Sequence, residues 1–526
     1  MIGRLLSVGG FTALSRVAGF ARDLLMAAIL GAGPMSDALM VALRLPNHFR
    51  AIFAEGAFTA AFLPRYTAAA TTGGIGLSSP ASHFANDVFA WQFAAQMVLL
   101  LLALIFMPEI IALVAPGFAS DPAQFELAVA LTRITFPYLI CVAIVTQYAS
   151  MLNAIQRFKA AASAPILLSL SMIATLLLAD HFTTPAHAAA VGVLVAGFLE
   201  LLVLIWAASR AGFSLRLRLP RWGEKMGEFF RALGAATIGS GSVQIGLFID
   251  TIIASFLPSG DLTSLYYADR INQLPMGIVG VALGTVLLPE MSARIAGKDE
   301  RAASAAQNRA IVFGLLLTLP CTAAFLVMPD TIMRALFARG AFGEQAADTS
   351  AMALFAYGLG LPAFILLRCI VPSFYARGDT ATPVRATVLS VIANIAMKIV
   401  LVWVFSFGAA GLALGTSFGA WVSFFVLVWL ARRRGVLVLT PELKRAALPV
   451  AIVVGGVVAG MTGGLALGGV VLSQGGPLAD EARFLFALSG AAAAFFIGTY
   501  AFRNRLPLRD ALRRAKPAKP SQSTAT

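Results

Sequence analysis

The sequence predicts an all-α polytopic membrane protein of about fourteen transmembrane helices. Composition is the first reason: of 526 residues, 59% are hydrophobic and only 12% are charged, where a soluble domain carries about 25% charged residues. Mean hydropathy, the second, is +0.85. The third is length, because the apolar residues fall in runs that can cross a ~30 Å hydrocarbon core at ~1.5 Å per residue. The alternating pattern of barrel strands is absent.

The runs lie near residues 5–31, 35–64, 84–114, 124–155, 162–181, 186–209, 227–257, 262–293, 304–327, 348–375, 383–406, 408–431, 446–472 and 482–502. The first is interrupted by SRVAGFARD, residues 15–23, which places Ser15, Arg16, Arg22 and Asp23 inside it. The second holds Asp37, Arg44, Pro46, Asn47, His48, Arg50 and Glu55, and the seventh holds Asp250. In the eighth, Asp269 and Arg270 precede Asn272, Gln273 and Pro275. Asn394 and Lys398 lie in the eleventh, and Thr416 in the twelfth. Glycine and alanine dominate the last two, where small residues let helices approach closely.

Loop charge sets the orientation. With a cytoplasmic N-terminus, the inside loops carry Arg157 and Lys159, then Arg210, Arg216, Arg218, Arg221 and Lys225. Arg294, Lys298, Arg301 and Arg377 follow, then Arg432, Arg433, Arg434, Lys444 and Arg445. Outside loops hold little beyond Arg334 and Arg339. An even number of spans with both termini cytoplasmic satisfies this asymmetry. The chain also repeats. Asp23, Leu45-Pro46 and Phe62-Leu63-Pro64 are echoed by Asp250, Leu274-Pro275 and Leu287-Leu288-Pro289, and Pro137 by Pro362. A repeat of six helices gives two lobes of like orientation around a central cavity. The expected division is an N-terminal lobe over 1–215, a C-terminal lobe over 216–435, a helix pair over 436–505 and a basic cytoplasmic tail over 506–526.

Several function classes drop out. The net charge of +14 sits in short loops and the tail, not in a basic patch interleaved with aromatics, so it answers to an anionic leaflet and not to nucleic acid. Cys141, Cys321 and Cys369 are scattered within apolar runs, and the four histidines have no metal-ligand spacing. No nucleophile elbow or Walker loop is present. No enzyme activity, metal or cofactor is expected.

Ionisable residues inside spans are costly and face a cavity or a partner. Arg16 and Asp23 are seven apart and share a stripe, so Asp23 is expected to hold Arg16, with Arg22 turned to a neighbouring helix. The plain alternative is internal neutralisation, in which Asp23, Asp37, Glu55 and Asp269 each pair with an arginine to fix packing. Arg16, Arg50 and Arg270 are the stronger candidates for binding, because a guanidinium stays charged and offers a planar fork to phosphate oxygens. That points to an anionic substrate. Asn394 and Lys398, at i and i+4, share a face. Lys398 can pair with Asp250 if their spans meet, or occupy the place of a coupling cation.

SRVAGFARD, GAGPMSDALMVALRLPNHFRAIFAEGAF, APGF, YYADR and GVALGTVLLP resemble the MurJ (MviN) family of bacterial lipid II flippases, within the multidrug/oligosaccharidyl-lipid/polysaccharide exporter superfamily. The resemblance implies fourteen helices, two six-helix lobes around a central cavity and an extra pair beside a membrane-facing groove. It implies alternating access that moves lipid II, the undecaprenyl-diphosphate-linked disaccharide pentapeptide, from the cytoplasmic to the periplasmic leaflet of the inner membrane. Partners would be lipid II, membrane lipids and cell-wall synthesis proteins. Family positions match at Ser15, Arg16, Arg22, Asp23, Asp37, Arg50, Glu55 and Arg270. Arg44 stands where relatives often carry lysine, and Gln273 where some carry glutamate. Arg16, Arg50, Arg270, Arg22, Arg44 and Asn47 are read as substrate-binding. Ser15, Asp23, Asp37, Glu55, Asp269 and Gln273 are read as supporting or gating. Some members bind sodium in the second lobe, so Asp250, Asn394, Lys398 and Thr416 mark that site or its substitute. Competing readings are a flippase for another polyprenyl-linked glycan, a drug or cation antiporter, and a membrane scaffold without transport.

Overall fold

The computed structural model describes residues 2–53, 56–74, 76, 79–222, 224–438, 440–471 and 479–506. Glu55 and the expected basic tail beyond residue 506 lie outside them. Among the described residues the chain is helical, with no strand.

The helices run in order as α1 (Ile2–Leu30), α2 (Pro34–Phe53), α3 (Gly56–Gly73), α4 (Pro80–Ile105), α5 (Met107–Val114), α6 (Pro122–Thr135), α7 (Tyr138–Ala154), α8 (Lys159–Leu177) and α9 (Pro185–Ser209). Then come α10 (Glu224–Ser255), α11 (Asp261–Ala296), α12 (Glu300–Val327), α13 (Pro329–Phe337), α14 (Glu344–Tyr375), α15 (Ala381–Ile399), α16 (Gly408–Arg433), α17 (Pro441–Val471) and α18 (Ala479–Ala501). Among the described residues, ten helical stretches are long and apolar enough to cross a membrane. The remaining expected spans fall on α1, on α2 with α3, on α10 and on α11. These four stretches carry Arg16, Arg50, Asp250 and Arg270.

Local chemistry explains where the helices start and stop. Ser79, Asp121 and Thr184 each accept a backbone N–H bond from the following turn, and each is followed by a proline. A capping oxygen and a proline that needs no partner for its missing N–H both favour a helix start there. The expected span 84–114 is corrected by the structure. Helix α4 ends at Ile105, the chain turns at Phe106, and α5 is a separate short helix. Pro108 follows the break and cannot donate into a continuing ladder. Pro137 likewise sits between α6 and α7, yet the pair still forms one apolar stretch.

The chain divides into two compact units. One comprises Met1–Ser264 with Phe337–Ala346, and the other Leu265–Leu336 with Ala347–Thr526. In the first unit α8 packs on α1 and α9, and α2 packs on α6, α7 and α9. An aromatic stack joins α3 to α4, with ring centroids 5.2 Å apart for Phe58–Phe62 and 5.6 Å for Phe62–Phe84. The segment 337–346 seats on the end of α1 through an Ala341 N–H bond of 2.8 Å to the Ala28 carbonyl. Gly31 and Gly340 have φ of +66° and +59°, and a Cβ at either would strike the opposing backbone. Only glycine meets both demands. In the second unit α15 pairs with α16, and α17 packs on α12 and α18. Gly460 and Gly490 bring α17 and α18 into backbone contact.

Three helix ends repeat one device. Arg210 lies 4.2 Å over the Trp206 ring, Arg433 4.1 Å over Trp429 and Arg503 4.1 Å over Tyr500. An arginine stacked on an aromatic one turn earlier suits a membrane interface, where the ring sits at headgroup level and the charge reaches water.

Candidate functional site

The charged stretch of α1 is resolved side chain by side chain. Asp23 is 3% exposed. Its Oδ1 accepts from Arg22 Nε at 3.0 Å and from Arg22 Nη2 at 2.7 Å, a pair that is mostly out of water. Arg22 also reaches α8 through Nη1, 3.9 Å from Met172 Sδ. The expectation that Asp23 holds Arg16 is therefore corrected. Seven residues of helix rise about 10 Å, and the adjacent guanidinium closes on the carboxylate first. Arg16 is left exposed at the protein surface of α1. Gly19, between the two, faces Ser169 of α8 at 3.7 Å from the position a Cβ would take, so it eases α1 onto α8 and does not open a lumen.

On α2 the polar residues divide by depth. Asp37 is 2% exposed. Its Oδ2 accepts from the Gly260 N–H at 2.6 Å, and its Oδ1 accepts from the Thr263 N–H at 2.9 Å and the Thr263 hydroxyl at 2.6 Å. Internal neutralisation by an arginine was the alternative read for Asp37. The structure replaces it with a cap on the first turn of α11, where a carboxylate meets the unpaired N–H groups of a helix start. Its partners lie more than 220 residues away in sequence, beyond any local pattern. Farther along, Arg50 Nε donates to Asn47 Oδ1 at 2.9 Å. His48 Nδ1 lies 3.2 Å from Gln244 Oε1 on α10, and its ring centroid lies 4.6 Å from that of Phe248. Arg44 is half-buried and Ser15 likewise.

In the second unit, Arg270 donates from Nη2 to the Tyr266 hydroxyl at 2.7 Å and lies 4.6 Å over the Tyr266 ring. One turn of helix therefore fixes the fork in plane and direction. Gln273 donates from Nε2 to Asp269 Oδ2 at 2.5 Å. Lys398, on α15, is 1% exposed. Gly415 of α16 leaves room for it, since a Cβ there would collide with Lys398 Cγ. Gly419 makes the same allowance for Asn394, 2.8 Å from its Cβ. The shared face read for Asn394 and Lys398 is thus the face against α16. Thr416 bonds back to the Leu412 carbonyl at 3.1 Å. Asp250 belongs to the first unit and Lys398 to the second.

An apolar cavity of about 390 Å³ lies in the second unit. Ile311 and Leu315 of α12, Leu366 of α14, Phe424 of α16 and Val450 of α17 line it, with Arg432 as its charged residue.

The family model described as "Lipid II flippase MurJ" matches residues 26–473. The chain belongs to the MurJ lipid II flippase family. A "Probable lipid II flippase MurJ" of Rhizobium tropici is 40% identical over 450 residues, covering 85% of this chain and 83% of that protein. The "Lipid II flippase MurJ" of Burkholderia cenocepacia is 34% identical over 439 residues, covering 82% and 84%. These MurJ relatives are named as flippases and not as enzymes. Among solved structures, a MurJ in an inward closed conformation has a TM-score of 0.77 at 22% identity, covering 94% of this chain and 99% of that one. An inward-facing multidrug resistance transporter of the MATE family, in the MOP superfamily, has a TM-score of 0.64 at 15% identity, covering 84% and 99%. At those identities the two structures speak for the fold alone.

Several ionisable residues inside the spans were absent from the sequence-derived set, among them Arg309, Arg368 and Glu200. Glu200 lies inside α9, 4% exposed, in a helix otherwise free of charge. The signal was present, because any charge within an apolar span is a candidate by default.

Proposed function

We propose that this protein carries lipid II from the cytoplasmic to the periplasmic leaflet of the bacterial inner membrane by alternating access. Arg16, Arg22, Arg44, Arg50 and Asn47 in the first unit and Arg270 in the second bind the headgroup, with the diphosphate taken chiefly by Arg16, Arg50 and Arg270. The observation that carries this reading is the arginine content of α1, α2 and α11 in a chain of the MurJ family. An arginine at a helix centre costs about 2.5–3.5 kcal/mol on insertion scales. A water-filled path that binds a diphosphate offsets that cost. Supporting roles fall to Ser15, Asp23, Asp37, Glu55, Asp269 and Gln273. Both termini are placed in the cytoplasm, in keeping with the stacked arginines at the ends of α9, α16 and α18.

The test is the leaflet distribution of lipid II in cells depleted of this protein, read with a probe confined to the outer face. Outer-face lipid II is expected to fall while the inner pool builds up. An unchanged outer pool, in cells with no second flippase, would refute the substrate assignment.

A second expectation concerns coupling. Lys398, buried with its Cγ against Gly415, takes the place of the sodium ion that the resemblance puts at Asp250, Asn394 and Thr416. Transport into sealed vesicles is expected to run at the same rate when sodium is replaced by potassium. A strict sodium requirement would count against this role for Lys398.

A further inference from the structure

The apolar cavity of the second unit has a charged end that the headgroup reading leaves unused. None of the arginines proposed for the headgroup lines it. Its walls belong to α12, α14, α16 and α17, and Arg432 is its charged lining residue. Arg432 opens the run Arg432-Arg433-Arg434 where α16 ends. The other two are committed elsewhere. Arg433 lies 4.1 Å over the Trp429 ring. Arg434 donates from Nη1 to Asp379 Oδ2 at 2.6 Å and to the Thr382 hydroxyl at 3.0 Å. Arg432 is exposed and makes no side-chain hydrogen bond or ion pair among the described residues. Lys444 and Arg445, also exposed, stand between the lining residues Leu443 and Ala446.

The cavity is amphipathic along α16. Trp429, beneath Arg433, suits headgroup depth. From Arg432 the lining residues Val428 and Phe424 step along the helix for about 12 Å of rise. At about 390 Å³ the space holds roughly a dozen groups the size of a water or a methylene, at ~30 Å³ each. That is much of one phospholipid acyl chain and far too little for an undecaprenyl chain. Helix α17 brings Ala447 and Ala451 to it, both exposed, so small side chains stand at its open side. We infer that this cavity holds one acyl chain of an anionic glycerophospholipid, with the phosphate on Arg432 and with Lys444 and Arg445 beside it. Charge complementarity selects that occupant. The basic rim attracts a headgroup of net negative charge, whereas it repels the ammonium of a zwitterionic lipid. A chain in this place gives contact partners to walls that otherwise lack them, and it joins α17 to α12, α14 and α16. The lipid is a resident of the seam that holds the last helix pair, and not the cargo.

The experiment is native mass spectrometry of the full-length protein, freed of lipid in detergent and titrated with phosphatidylglycerol or with phosphatidylcholine of the same acyl chains. The first phosphatidylglycerol is expected to bind about fivefold tighter than phosphatidylcholine. Arg432→Gln is expected to weaken phosphatidylglycerol about fivefold and to leave phosphatidylcholine unchanged, so that the two become alike. Ala447→Phe fills the open side of the cavity and is expected to weaken both lipids tenfold or more, roughly as lost chain burial requires. Arg210→Gln removes an arginine of the first unit that is stacked on Trp206 in the same way, and is expected to change neither. Damage to the fold would weaken both lipids, so a loss confined to phosphatidylglycerol is a readout that misfolding does not produce. Equal binding of the two lipids by the unaltered protein would overturn the role of Arg432. A loss with Arg210→Gln as large as with Arg432→Gln would reduce the effect to general surface attraction. If Ala447→Phe binds both lipids as the unaltered protein does, the chain lies elsewhere and the cavity is not its site. Displacement of bound phosphatidylglycerol by an equal concentration of undecaprenyl diphosphate would give the cavity to the carried lipid and overturn the resident one.

Discussion

Cells that depend on an Arg16→Lys form of this protein, made at normal levels, are expected to lose most of their delivery of lipid II to the outer leaflet. The substitution keeps the charge. What it removes is the planar fork that meets two phosphate oxygens at once, leaving a point charge on a flexible stem. Hydrogen bonds to charged groups contribute about 1.5–3 kcal/mol, and each 1.36 kcal/mol is about tenfold in rate. A loss of about ten- to a hundredfold follows if one such contact is made during transport. The structure sharpens the expectation, because the Asp23 carboxylate is taken by Arg22 and Arg16 stands exposed on α1. Arg22→Lys, by contrast, should show first as lost stability of the α1 to α8 packing. The measurement is outer-face lipid II in cells carrying each variant alone. Full delivery with Arg16→Ala would remove Arg16 from the site.

The fold was largely legible because apolar run length and proline position act locally. Where a run was misread, at 84–114, the cause was also local: Pro108 lay in plain view and ends the continuous helix before it. The site was legible only in part. Helical periodicity tells which side chains share a stripe, but not which pair closes, so Arg16 was matched to Asp23 where Arg22 is the partner. It cannot reveal partners brought in by the tertiary fold. The bonds from Gly260 and Thr263 to Asp37 and the seat of Lys398 under Gly415 are of that kind. Glu200 was legible by the rule that a lone charge in a span needs a reason.

Asp37→Ala is expected to lower the unfolding free energy by about 2–6 kcal/mol, from about 1–3 kcal/mol for each of two N–H groups left without a partner. Both belong to the chain entering α11, and the carboxylate also opposes the positive end of that helix. Asp37→Asn keeps one acceptor oxygen but turns an NH₂ group toward a backbone N–H, so it should fall between Asp37→Ala and the unaltered protein. Thr263→Val removes only the hydroxyl bond and leaves the two backbone bonds in place, with an expected cost of about 1.5–3 kcal/mol. Thermal unfolding of the four proteins in one detergent gives the order directly, and an Asp37→Ala protein as stable as the unaltered one would refute the cap. The same clamp bears on function. Thr263 precedes Arg270 by seven residues, about 10 Å of helix rise, so the turn that Asp37 holds is the base from which Arg270 and its Tyr266 support are built. If the cap matters for transport and not only for stability, Asp37→Ala assayed well below its unfolding temperature should still deliver less lipid II, and Thr263→Val should deliver nearly as much as the unaltered protein. Equal delivery by all three at that temperature would confine Asp37 to holding the fold.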